Sequence, residues 1–589
     1  MARAGVFIGV DKTGNLQRLN DAAAGAKRMY EWALAQGMTQ ESHAKLITDA
    51  NGAKVSPDAI YDAIKAIIDG PGVDQLLVYF AGHGVNIGRS EQWLLSDAPV
   101  KTSAAVNVSG SVELARYCGI SHVVIISDAC RVAPEGIQAQ NVRGVDVFPN
   151  DGASDKAKSV DQFFACFLGR TAAEIKDPAI AAENFSALYT NTLLDALQGA
   201  HPEILEPATA AGDNALYVRP RKLENYLEVE VPRRVKVLNL ELKVNQNPDA
   251  IITSDASWLS RLDPASVAKP KVTRGGLLSA PPAPNNLRVV TQALVRSAAA
   301  GDQAGLDQQM RRARTAVTTG AAELVDATER IAAPFGPDHF ETQCGIKTRG
   351  ARIVDFFAPR ASGTLLGVEG DILRIDSVEA PMASVVLLFE GGVGTVIPAI
   401  PGFIAALSFD DGELVDVAYE PSANNWRWDL YKNRAGEVRA LRALAASSSQ
   451  HGRFHLDQQD PNRIAQQMQY AKGVDPTLAV YAAYAYHDLQ AIARIREMSD
   501  FLRGDIGGTF FDLALLSRSL IDKAIGAKDF IVPFVPLLAQ GWALLGAHRV
   551  KLHPALRGIE RSVRDSLWTL YDGKGLEKLK DALQTGEVR

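Results

Sequence analysis

The stretch Gln75–Gly84 reads QLLVYFAGHG, and a second, His122–Arg131, reads HVVIISDACR. Each is a continuous apolar run that stops abruptly at small and polar residues. Apolar character at every position, not every second one, marks strands covered on both faces. Similar runs recur at Gly5–Val10 (GVFIGV), Lys45–Thr48 and Gln162–Phe167 (QFFACF). Segments with helical spacing lie between them: Asp21–Gln36, a helix opened by Ser56-Pro57-Asp58, and Asn184–Gly199. Ser56 is placed to cap and Pro57 to occupy the first helical position. Strands alternating with helices predict an α/β domain over residues 1–235, a mostly parallel sheet flanked by helices and closed by Tyr217–Val235.

Strands of a parallel sheet share one direction. His83 and Cys130 follow two such strands and are therefore expected at the same carboxyl edge, where open α/β sheets place their sites. An imidazole there can take a thiol proton and return it to a leaving amine. Gly84 lets the backbone come close to a substrate carbonyl, so the Gly84 and Cys130 amides are candidates for an oxyanion hole. Alone, a strand-end Cys reads as a small buried apolar residue and a lone His as a satisfied polar one. Their joint placement with the neighbouring glycines favours a catalytic pair. Cys118 on a helix and Cys166 inside a strand are expected to be buried fillers, and Cys344 lies outside this domain.

YFAGHG followed 47 residues later (130 − 83) by SDAC resembles the caspase and metacaspase cysteine peptidases. GVFIGVDKTGNLQRLNDAAAGA is similar to the first strand and loop of metacaspases, FFACFLGRTAAE to the strand after their nucleophile, and NFSALYTNTLLDAL to the next helix. The resemblance covers about residues 1–235. Caspases carry QACRG and metacaspases often DCCHSG or DSCHSG, where this chain has DACRV, so the motif assigns the dyad but not the subfamily. The resemblance implies a cysteine endopeptidase with His83 and Cys130 as its dyad and no cofactor. It also implies that Asp128 and Asp21, the latter in LQRLND, line the primary pocket, and two carboxylates there imply cleavage after Arg or Lys. The competing reading of Asp21 is a helix N-terminal residue favoured by the dipole.

At 589 residues the chain exceeds what one core supports. Pro264–Asn286 reads as a linker and Leu287–Ala333 as helical, giving a connecting region over 236–334. Its Arg311, Arg312 and Arg314 are expected on a solvated face. Residues 335–423 alternate short β-rich runs with Gly and Asp, predicting a β-rich domain, and 424–589 predict a helical domain. A net charge of −6 with mixed signs offers no strong field for nucleic acid or an anionic membrane. Four cysteines without a CxxC pair suggest neither a disulfide framework nor a zinc site and fit a reducing cytoplasm. The N-terminal apolar run is too short for a signal peptide. His451, His455 and Asp457 have a spacing that could hold a metal on a helix, but their surroundings read as loop, so no metal is expected. No phosphate-binding GxxxxGK[ST] loop appears.

Ser384–Phe409 and Ile531–Ala547 approach membrane-spanning length, yet Gly and Pro within them read as turns and breaks. Peptide hydrolysis needs nothing beyond residue 235. The rest is expected to bind an activating signal, a small nucleotide or a protein partner, at Phe335 and beyond. No removable segment is expected before Gly5. Bacterial caspase-like proteins with large C-terminal regions resemble this layout, and some are effectors in anti-phage defence. If the enzyme cuts itself, Val132–Val160 with Arg143, Lys156 and Lys158 is the expected place. The alternatives are a non-catalytic caspase-fold scaffold and a membrane-permeabilising protein.

Overall fold

The computed structural model describes residues 2–39, 43–129, 141–154, 156–165, 178–208, 213–237, 248–265, 342–366, 371–379, 381–449 and 461–589, with short pieces at 267, 294, 308–310, 326 and 328–331. The chain is mixed α/β and divides into two units, Met1–Pro284 and Asn285–Arg589.

The first unit runs β1 (Arg3–Gly9), α1 (Ala22–Ala35), β2 (Ala44–Thr48), α2 (Pro57–Ile68), β3 (Gln75–Gly82), β4 (Gly84–Ile87), β5 (Ser90–Leu94), β6 (Ala105–Asn107), α3 (Val108–Ala115), β7 (His122–Ala129), β8 (Ser159–Phe164) and α4 (Pro178–Leu197). There follow β9 (Leu205–Pro207), β10 (Leu216–Val218), α5 (Pro220–Val237), β11 (Asp249–Ile251) and β12 (Ser260–Leu262). The central sheet has the order β11-β8-β7-β3-β1-β2. All its pairings are parallel except that of β11 with β8. β1, β3 and β7 are buried at every position, as their unbroken apolar runs require. Ser56 caps α2 by accepting from the Ala59 amide at 3.2 Å, with Pro57 behind it.

Three details depart from expectation. β8 begins at Ser159, not Gln162, and carries a charged residue into the core. Asp161 is tolerated there because His122 lies 2.8 Å away and the Thr253 and Ser254 amides donate to it. Cys118 sits in the turn after α3, buried, where burial pushes its thiol up. β11 and β12, beyond residue 235, also belong to the first unit, paired with β8 and β10. Cys166, Arg311, Arg312, Arg314, His451, His455, Asp457 and most of the expected linker lie outside the described residues.

The second unit holds β13 (Gly345–Arg349), β14 (Ile353–Phe357), β15 (Ala361–Leu366), β16 (Ile372–Val378), β17 (Ala383–Phe389), β18 (Gly394–Ala399), β19 (Phe403–Asp410) and β20 (Glu413–Pro421). They form a sheet ordered β15-β16-β13-β19-β20 and a second ordered β14-β17-β18. Helices follow: α6 (Ala435–Ser449), α7 (Pro461–Ala471), α8 (Leu478–Asp488), α9 (Ile492–Asp505), α10 (Phe511–Leu516) and, after a long irregular stretch, α11 (Gly573–Gln584). That stretch departs from the expected helical pattern. Its core-facing part, with Ile531, Val532, Phe534, Val535, Leu537 and Leu538 buried, has few helical amide bonds to use. Asp512 supplies acceptors instead, taking the Leu537 and Leu538 amides at 2.7 and 3.2 Å. Burial pushes this carboxyl up to about 6. Ser384–Phe409 is strands and turns, and no described helix is long and apolar enough to cross a membrane.

Buried charge ties β20 to the helices. Arg442 of α6 donates to Asp416 and Asp475, both at 2.9 Å, with all three side chains nearly inaccessible. Asp475 also accepts from the Tyr419 amide and from Thr477.

Candidate active site

The order β2-β1-β3-β7-β8 reverses direction between β1 and β3. The chain leaves β1 toward β2 on one side and leaves β3 toward β7 on the other. The crevice outside the carboxyl ends of β1 and β3 is the place a ligand can enter such a sheet. His83 is the first residue after β3, and the loop 10–21 after β1 lies opposite.

The β3–β7 register runs from Gln75↔His122 to Gly82↔Ala129. The next residues in the chain are His83 and Cys130. Cys130 lies outside the described residues, as do 131–140. His83 is half-buried, and its Nε2 sits 2.7 Å from the Gln17 carbonyl oxygen. A carbonyl only accepts, so Nε2 carries the proton and Nδ1 keeps its lone pair. Burial lowers the imidazole pKa, against a smaller raising effect of the Gln17 carbonyl. The ring is thus held neutral in one tautomer, with its basic nitrogen unspent.

Gln17 is held by its loop. Gly14 donates to Ser96 at 2.9 Å, Leu19 donates to Asp11 at 2.8 Å, and Asp11 accepts the Ala23 amide at 2.9 Å. Gly84 opens the β4–β5 hairpin. The Leu94 amide donates to His83 at 2.9 Å, which makes 83↔94 a hydrogen-bonded pair and Gly84↔Trp93 the alternate kind. The Gly84 amide therefore points away from β5. Trp93 stacks on Phe80 with ring centroids 4.7 Å apart, and its Nε1 donates to Glu91 and to Ser127 of β7, both at 2.9 Å. Ser127 also donates to Glu91. This buried network fixes the hairpin that carries Gly84 to the strand that leads to Cys130.

Asp21 lies near enough for its charge to act on Asp128, and each has a partner that the sequence analysis did not name. Asp21 is the N-cap of α1 but makes no cap bond with its side chain. It turns instead to Arg28, which donates from both terminal nitrogens at 3.1 and 2.6 Å. Asp128 is buried at the end of β7, with the Thr190 hydroxyl of α4 donating to it and Tyr79 2.5 Å from the same hydroxyl. Burial drives the Asp128 carboxyl well above the usual range, the nearby Asp21 charge adds to this, and the Thr190 hydrogen bond opposes it.

Of the residues expected to cut in self-processing, Arg143 is tied down. Its amide donates to Thr102 at 2.9 Å and Val145 bridges Val106. Lys158 is also hydrogen-bonded through its amide, and Lys156 is exposed with its amide donating to the Ser154 hydroxyl at 3.3 Å.

No family model and no curated protein matches this sequence. Among solved structures, the protein GSU0716 from Geobacter sulfurreducens is similar at 16% identity over 46% of this chain and 97% of its own, with a TM-score of 0.26. A likeness of that extent carries no argument about this chain.

Proposed function

We propose that the chain is a signal-regulated, caspase-like cysteine endopeptidase that cuts after Arg or Lys. The observation that carries this reading is the β3–β7 register, which ends at Gly82↔Ala129, the residues that precede His83 and Cys130 in the chain, beside an imidazole whose Nε2 is committed to Gln17. In the proposed reaction Cys130 passes its thiol proton to Nδ1 of His83 and its sulfur attacks the scissile carbonyl. The Gly84 and Cys130 amides receive the oxyanion. The imidazolium protonates the leaving amine, and water then releases the acyl group from sulfur. Asp21 and Asp128 form the primary pocket.

The second unit, built around its own core and needed by none of these steps, is proposed to bind the activator, a small nucleotide or protein signal, as in an anti-phage effector. Such a ligand acts only through different affinity for the inactive and active states. A panel of peptides varied at the residue before the cut, with and without candidate activators, tests the reading. Arg and Lys should outcompete Asp. A comparison chain lacking the second unit must extend past Leu262, because β11 and β12 pair within the first unit.

A further inference from the structure

Asp21, Gly25 and Arg28 share one face of α1. Gly25 brings that face against the first unit's core: a Cβ there would stand 3.4 Å from the Tyr79 hydroxyl and 3.7 Å from Thr190. Tyr79 and Thr190 are the residues that lead to Asp128. The Asp21–Arg28 pair is therefore built next to the Asp128 cluster. A cation already stands in the place where the pocket reading requires negative charge.

Arg28 is held on one side only. Its two terminal nitrogens grip Asp21, while its buried Nε has no partner among the described residues. The same side chain lines a cleft of about 590 Å³ between α1 and α4, bordered by Trp32, Asn191 and Asp195. The guanidinium thus has open space beside it and a single carboxylate to leave.

We propose that Arg28 is the resident occupant of the primary pocket, a cation that an incoming Arg or Lys side chain must displace from Asp21. This rests on the pocket reading of Asp21 and Asp128 given above. Arg28 is then a specificity residue that weakens basic-substrate binding until it swings into the α1–α4 cleft. Two cations compete for one carboxylate, so deleting the resident one strengthens binding of the visitor. A purely structural arginine would behave in the opposite way, because its loss would leave Asp21 misplaced.

The test uses the full chain and benzamidine as a cation probe, with binding followed by calorimetry. Arg28→Gln should bind benzamidine about tenfold more tightly than wild type, as expected when one charge-assisted competitor is removed. Arg28→Lys should stay near wild type, and adding Asp21→Asn to Arg28→Gln should erase the gain. Equal or weaker binding by Arg28→Gln, or no binding to either protein, overturns the proposal. Should Arg28→Gln fail to fold, a crystal structure of the wild type with benzamidine decides. The probe on Asp21 with Arg28 moved into the cleft supports the proposal, and Arg28 still on Asp21 overturns it. Calorimetry needs no turnover. A chain that binds as described but cuts no peptide would sink the peptidase reading alone, and a chain that cuts after Arg without the Arg28 effect would sink this proposal alone.

Discussion

The His83 Nε2 lies 2.7 Å from the backbone carbonyl of Gln17, a bond that spans the gap between the ends of β3 and β1. Because the acceptor is backbone, no substitution of residue 17 removes it. It fixes the tautomer, and burial keeps the ring neutral. The base form therefore survives to lower pH than in an ordinary histidine of about 6.5. The acid limb of kcat/KM should fall below that value. An acid limb at neutral pH or above would show that His83 does not sit as described when it works.

Gly14 sets the loop that presents Gln17. Its φ is 48°, and a Cβ there would stand 2.2 Å from the Ala98 carbonyl oxygen. Gly14→Ala forces the loop to move, at a local cost of about 1–3 kcal/mol. Peptide cleavage should drop tenfold or more, with the first unit still folded by circular dichroism. Unchanged kcat/KM would mean the Gln17 contact is not used.

Asp128 makes stability depend on pH. Its folded-state pKa is raised, so the native chain keeps a proton that the unfolded chain releases. Stability from this group is present at low pH and declines as pH rises above the usual carboxylate range. Asp128→Asn should flatten that decline when thermal unfolding is followed as pH rises above the usual carboxylate range. A cationic side chain arriving at Asp21 would favour loss of that proton, so Asp128→Asn should also reduce the preference for Arg over neutral residues before the cut. A decline as steep as that of the wild type would place the burden on other groups.

Arg442 supports the second unit. Its removal leaves Asp416 and Asp475 buried without their cation, and burial already holds Asp416 up to about 6. Arg442→Ala should destabilise this unit by about 3–5 kcal/mol, read as a lower Tm. A Tm within a degree or two of wild type would contradict the hub role.

The strands β3 and β7 were legible because burial on both faces demands apolar residues at each position, and their ends pointed to His83 and Cys130. The start of β8 was not, since Asp161 looks like loop until its pairing with His122 is known. β11 and β12 are three residues long and find their partners far away in the chain, which leaves no local pattern. The Gln17 carbonyl has no signature in residue type. Arg28 had one: seven residues after Asp21 is the same helical face, and the pair could have been read from that spacing.

The central claim is tested most directly by peptide cleavage with the full chain, with and without candidate activators, beside Cys130→Ala and His83→Ala. Cleavage after Arg or Lys by the wild type should be lost by roughly a thousandfold or more in each variant, with the double variant no worse, because the two residues act as one unit. Turnover near the wild-type level in Cys130→Ala would contradict it.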